Sequence, residues 1–202
     1  LSIILFIYFK TTNIDTQFNS YNSNQRPFVI SLYGDSLMSG FLLKETEHLS
    51  KELNSLLSKQ KIPNKIINSS VAGNTTHQGL QRINNVINQQ PDIVILCLGA
   101  NDMLQGINVD LIHRNLELII IKLQKNNIKI ILAGMYASPI LPNEYRTKYK
   151  NIYLNLSQKY DLIFMPFILE GIIFKNKYLL PDKSHPNFEG VKIIAKNLIT
   201  YL

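Results

Sequence analysis

The chain contains one cysteine, Cys97, and no tryptophan. A single thiol excludes an intramolecular disulfide framework and leaves the redox compartment open. Histidine is scarce as well, with four residues in 202, so a site built on several imidazoles has little to draw on. Dense Lys/Arg runs interleaved with aromatics are missing. The formal net charge of +7 comes from lysines scattered among Asn and Ile, which argues against a nucleic-acid partner.

No long membrane-spanning run is evident either. The apolar opening, "LSIILFIYFK" (1–10), falls short of the roughly 20 residues that cross a bilayer. It reads as the remnant of a signal-peptide core or of a membrane anchor, with a docked apolar terminus as the alternative. No small-x-small cleavage site follows, so an uncleaved anchor stays open. Residues 11–26, rich in Asn, Ser and Thr, read as a polar linker. The expectation is export, to the periplasm or to a membrane facing it.

What is present suits one compact domain over residues 27–202, with 46% hydrophobic residues to fill its core. Apolar strand patterns cover 28–33, 64–70, 92–99, 128–135 and 162–167. Between them run helical spacings at 45–60, from Thr75 or Thr76 through Leu80, Ile83 and Ile87, at 109–126 and at 143–160, with a closing helix at 187–202. Alternating strands and helices predict an α/β fold, a three-layer α/β/α arrangement around a five-stranded parallel sheet in the flavodoxin-like order 2-1-3-4-5. Such sheets bind ligands beyond the carboxyl ends of their strands, at the switch point between the first and third.

The polar clusters fall there. "GDS" (34–36) follows the first strand, "AGN" (72–74) the second and "GAND" (99–102) the third, while "PDKSHPN" (181–187) lies beyond the fifth. A serine hydroxyl needs a base to become a nucleophile. His48 and His113 fall within predicted helices and His77 at a helix start, where solvated or capping roles suffice. His185 remains, in a Pro-bracketed loop whose Pro186 favours extended backbone. Asp182, three residues earlier, is close enough to orient its ring. Backbone N–H groups of Ser36 and Gly73 and the side-chain amide of Asn101 can serve a developing oxyanion. Each element also has an ordinary reading as a turn or helix cap; their convergence on one sheet edge favours catalysis.

In order and spacing, "GDSL", a glycine after the second strand, "GAND" and "DKSH" resemble the four blocks of the SGNH (GDSL) hydrolases. Within that superfamily the chain is most similar to the bacterial multifunctional thioesterase I/lysophospholipase L1/arylesterase group, which "MPFILEGI" and "YRTKYKNIY" also resemble. The resemblance implies a serine esterase or thioesterase that works through an acyl-enzyme on Ser36. His185 would be the base and Asp182 its orienting acid, with Ser36, Gly73 and Asn101 forming the oxyanion hole and no metal or cofactor involved. Asp35 and Asp102 read as loop-fixing residues. Apolar loops at 37–43, 103–107, 136–142 and 168–174 suit a small-molecule substrate carrying an acyl chain, with about half of these residues simply packing on the sheet. A monomer is expected. Ala100, and Lys183–Ser184 inside the last block, depart from the group's usual residues and bear on loop shape.

Three rivals stand beside this reading. One is an acetylesterase acting on acetylated carbohydrate. Another is a metal-dependent phosphoesterase using Asp35, Asp102, Asp182 and His185, although two-metal sites usually draw on more histidines. The last is a flavodoxin-like binding module without catalysis.

Overall fold

The structure, a computed structural model, describes residues 26–202; the expected anchor remnant and nearly all of the expected linker lie outside them. Strand β1 (Phe28–Gly34) leads into a one-turn helix, α1 (Ser36–Ser39), and then α2 (Leu49–Lys59). β2 (Asn64–Asn68) is followed by α3 (Thr76–Ile87), and β3 (Ile93–Cys97) by α4 (Ala100–Leu104) and α5 (Val109–Lys125). β4 (Lys129–Ala133), α6 (Asn143–Lys159), β5 (Ile163–Met165) and α7 (Phe188–Ile199) complete the order.

The sheet runs β2-β1-β3-β4-β5 with every pair parallel, as the alternating pattern predicts. Its centre, β3, is buried along its whole length because helices cover both faces. α2 packs with α7, while α3, α5 and α6 pack in succession. The buried stripes of these helices, such as Leu49, Leu53 and Leu57 on α2, sit in one continuous core with the strands. Among the described residues no helix is long and apolar enough to cross a membrane.

Two departures matter for the site. β2 to β5 are shorter than their apolar patterns, since the backbone leaves the ladder early to form the loops, whereas β1 runs one residue past its pattern to Gly34. β2 ends at Asn68, although Ser69 and Val71 still donate to the carbonyls of Leu32 and Gly34 at 2.9 and 3.1 Å. The predicted helix 45–60 is also broken. Residues Glu45–Glu47 form a 3₁₀ turn, and His48 then adopts extended backbone (φ −67°, ψ 148°) before α2 begins. His48 is therefore no solvated helix position. It is half-buried, with Nε2 3.3 Å from the Leu43 carbonyl, and it ties the loop after α1 to the start of α2.

Candidate active site

The site begins with a glycine for a steric reason. Gly34 pairs with Cys97 across β1 and β3, and a Cβ at Gly34 would lie 2.6 Å from the Cys97 carbonyl oxygen. Only the missing side chain lets the strands stay this close where β1 ends. Asp35 then stops the strand and starts a helix: its Oδ1 accepts from the Leu37 N–H at 3.1 Å as an N-cap. Ser36 becomes the first residue of α1, with its hydroxyl at the carboxyl edge of the sheet.

The loop beyond β5 brings the imidazole to it. An antiparallel bridge between Leu179 and Pro186 closes this loop, and the Leu180 N–H donates to the His185 carbonyl at 2.8 Å. Inside it, Asp182 Oδ1 accepts from the N–H groups of Ser184 and His185 at 2.8 and 2.9 Å. Its other oxygen, Oδ2, lies 2.8 Å from His185 Nδ1, and His185 Nε2 lies 2.8 Å from Ser36 Oγ. The backbone N–H of His185, followed by that of Ser184, holds the Asp182 carboxyl down at about 2. An ionised Asp182 favours the proton on Nδ1, which leaves Nε2 free to accept the serine proton. Hydroxyl, imidazole and carboxylate stand in series.

The loops after β2 and β3 meet beside them. Gly73 has φ +81° in a turn closed by the Asn74 N–H on the Val71 carbonyl at 3.2 Å, a backbone that side-chain-bearing residues rarely adopt. Asn101, in the first turn of α4, donates one amide hydrogen to the Asn74 carbonyl at 3.0 Å. Its second hydrogen remains to be used. All five residues singled out from the sequence thus lie on one edge of the sheet: Ser36, Gly73, Asn101, Asp182 and His185.

Asp35 and Asp102 hold loops, as their positions suggest. Asp102 is buried and accepts from Thr76 twice, from the N–H at 2.8 Å and from Oγ1 at 2.6 Å. This bolts α4 to the start of α3. Thr75 is the actual cap of α3, in a capping box with Gln78. Thr76 was not separable from it in the sequence, because both threonines suit the same helix start. Also unread there were Tyr149 and Tyr153, one turn apart on α6. The Tyr153 hydroxyl donates to the Leu98 carbonyl at 3.0 Å and lies 3.0 Å from that of Tyr149, beneath the β3 loop. His77 is exposed beside Gln81, and His113 lies within α5. Among the described residues no three His, Cys, Asp or Glu side chains are grouped to hold a metal ion.

The bordering apolar residues divide between core and surface. Leu37, Met38, Met103, Ile168 and Ile172 are buried, whereas Leu42, Leu104, Tyr136, Ile140 and Phe174 are exposed. Phe41 is also exposed, its ring 4.7 Å from that of His185.

Asp35 makes a pH prediction. Burial raises its carboxyl to about 6, with the Leu37 N–H and nearby His185 pulling it back only in part, and its Oδ2 has no hydrogen-bond partner. The folded state therefore holds this proton more tightly than the unfolded chain does. The ionised group costs stability above pH 6, by up to about 3 kcal/mol for a shift of about two units, and the cost fades as pH falls towards 4. Asp35→Asn keeps an oxygen for the Leu37 N–H. It is expected to stabilise the protein at pH 8 and to have little effect at pH 4, as read from urea unfolding at both values.

A doubly covered parallel sheet carrying a serine–histidine–aspartate series at its carboxyl edge defines a serine hydrolase of the α/β/α class. The profile of the GDSL-like Lipase/Acylhydrolase family matches residues 32–193, and the chain belongs to that family. It is 29% identical over 174 residues to the arylesterase of Vibrio mimicus, covering 84% of this chain and 87% of that one. It is 27% identical over 165 residues to thioesterase 1/protease 1/lysophospholipase L1 of Escherichia coli strain K12, covering 81% and 78%. The crystal structure of AlinE4, an SGNH-hydrolase family esterase, superposes with a TM-score of 0.76 at 36% identity over 86% of this chain and 94% of that one. The protein is a serine esterase of the SGNH type.

Proposed function

We propose that Ser36, His185 and Asp182 are the catalytic triad, and that the N–H groups of Ser36 and Gly73 with the Asn101 amide form the oxyanion hole. In the first step Ser36 Oγ bonds to the carbonyl carbon of an ester or thioester while His185 Nε2 takes its proton. The tetrahedral oxyanion is held by the three donors until the C–O or C–S bond breaks. The leaving alcohol or thiol receives the proton from His185, and an acyl-Ser36 ester remains. Water then attacks that ester with His185 again as base, which releases the acid. The observation that carries this reading is the 2.8 Å contact between His185 Nε2 and Ser36 Oγ, side chains 149 residues apart in the chain.

In this reading the substrate carries an acyl chain. The exposed Leu42, Leu104, Ile140 and Phe174 support it, since the first, third and fourth lie on loops and Leu104 ends the short α4, all beyond strand carboxyl ends. The names of the relatives above, an arylesterase and a thioesterase/lysophospholipase, agree with it. Hydrolysis rates across acyl-chain lengths, on p-nitrophenyl esters and acyl-CoA thioesters, are expected to rise from acetyl towards medium or long chains. A strong acetyl preference would instead favour the acetylated-carbohydrate alternative. Residues 27–202 would form the catalytic unit, working as a monomer without a cofactor. Residues 1–10 and 11–26 would direct it to the periplasm or tether it to the membrane. Fractionation of cells expressing the whole gene tests that placement, and a purely cytosolic product would refute it.

A further inference from the structure

We infer that Arg82 is a positioning residue for the oxyanion hole. The proposal rests on the reading of Gly73 and Asn101 just given. Arg82 projects from α3, is half-buried and touches neither Ser36 nor His185 by hydrogen bond. Its guanidinium instead reaches three oxygens on two adjacent strand exits. Nη2 donates to the Gly34 carbonyl at 3.1 Å, Nη1 to the Ser69 carbonyl and Nε to Asn74 Oδ1 at 2.6 Å. The Tyr33 ring supports the group from below, with its centroid 4.3 Å from the guanidinium carbon.

These three oxygens bracket the proposed donors. Gly34 is two residues before Ser36, and its carbonyl also accepts from the Val71 N–H at 3.1 Å. Asn74 directly follows Gly73. Its side chain is held by Arg82, and its backbone carbonyl receives the amide of Asn101. One planar fork therefore sets the spacing between the β1 exit, which carries Ser36, and the β2 turn, which carries Gly73. Through Asn74 it also aims the amide of Asn101. Lysine cannot replace it, because a single ammonium has no rigid fork to span three acceptors in separate directions.

Displacing oxyanion donors by a fraction of an ångström to 1 Å weakens an interaction made chiefly in the transition state. Arg82→Ala is expected to lower kcat about 10- to 100-fold with KM changed less than about threefold. The rate is counted per active site titrated with a serine-directed phosphonate, so that loss of folded protein does not enter. Millimolar methylguanidinium is expected to restore part of the lost kcat, and Arg82→Lys to recover little of it. In an Asn74→Ala background the further loss from Arg82→Ala should shrink, because both changes cut the same connection.

Unchanged kcat per titrated site, or losses at residues 82 and 74 that simply multiply, would overturn the inference. If Arg82→Ala does not fold, Arg82→Lys carries the same test. Asn101→Ala separates this inference from the reading beneath it. A loss of about 10²–10³ there, with none at Arg82, removes the positioning role and leaves the oxyanion hole standing. No loss at Asn101 removes both.

Discussion

Ser36→Ala is expected to lower kcat by about 10⁶ and to abolish covalent labelling by a serine-directed phosphonate. The change takes away one oxygen, whose hydrogen-bond partner is His185 Nε2, and it leaves the Asp182–His185 pair and the Asp35 cap in place. Stability should therefore move by no more than about 0.5 kcal/mol. Without the hydroxyl no acyl-enzyme can form. The proposed oxyanion hole and the binding surface alone would still stabilise attack by water, which leaves a residual rate about 10³–10⁴ above the uncatalysed reaction. Single-turnover hydrolysis of an activated ester, with mass spectrometry of the phosphonate-treated protein, measures both effects. Turnover within tenfold of the parent would reject a serine mechanism at this position.

Asp182→Asn should cost about 10⁴ in kcat while the loop keeps its shape. The asparagine oxygen can still accept from the N–H groups of Ser184 and His185, so the turn survives. Its amide nitrogen then faces His185 Nδ1 where a carboxylate oxygen stood. That nitrogen can only donate, so the imidazole must accept on Nδ1 and carry its own proton on Nε2, facing the Ser36 hydroxyl it should deprotonate. The measurement is kcat for the variant beside its unfolding midpoint. A loss smaller than tenfold, with the fold intact, would remove Asp182 from the mechanism.

The parent carboxyl is held at about 2, so it stays ionised through any ordinary working range. Because its folded value lies below its unfolded one, Asp182 contributes stability above pH 4 that is lost as pH falls towards 2. An acid limb in the rate profile above pH 4 would therefore belong to another group.

The layout of strands and helices was readable because it depends on local periodicity. β3 is apolar at every position whatever surrounds it, and the leucine stripe of α2 repeats at helical spacing before any partner is known. Asp182 and His185 were equally legible, since three residues and one turn suffice to join them. The placement of "GDS", "AGN" and "GAND" after successive strands also needed only the rule that parallel strands deliver their exits to one edge.

The remaining assignments depended on partners far along the chain. Thr76 looks like a cap until Asp102 arrives from the next βα unit, and His48 looks solvated until the loop after α1 folds back on it. Arg82 occupies a polar position on an amphipathic helix, and the pattern reads the same whether that position faces water or the Gly34 and Ser69 carbonyls. Local pattern was enough for the fold class and for gathering the proposed site residues at one sheet edge, because secondary structure and short-range turns are set by near neighbours. Which polar side chains hold those residues in place emerged only on folding, because strand order and helix docking choose partners that no local pattern contains.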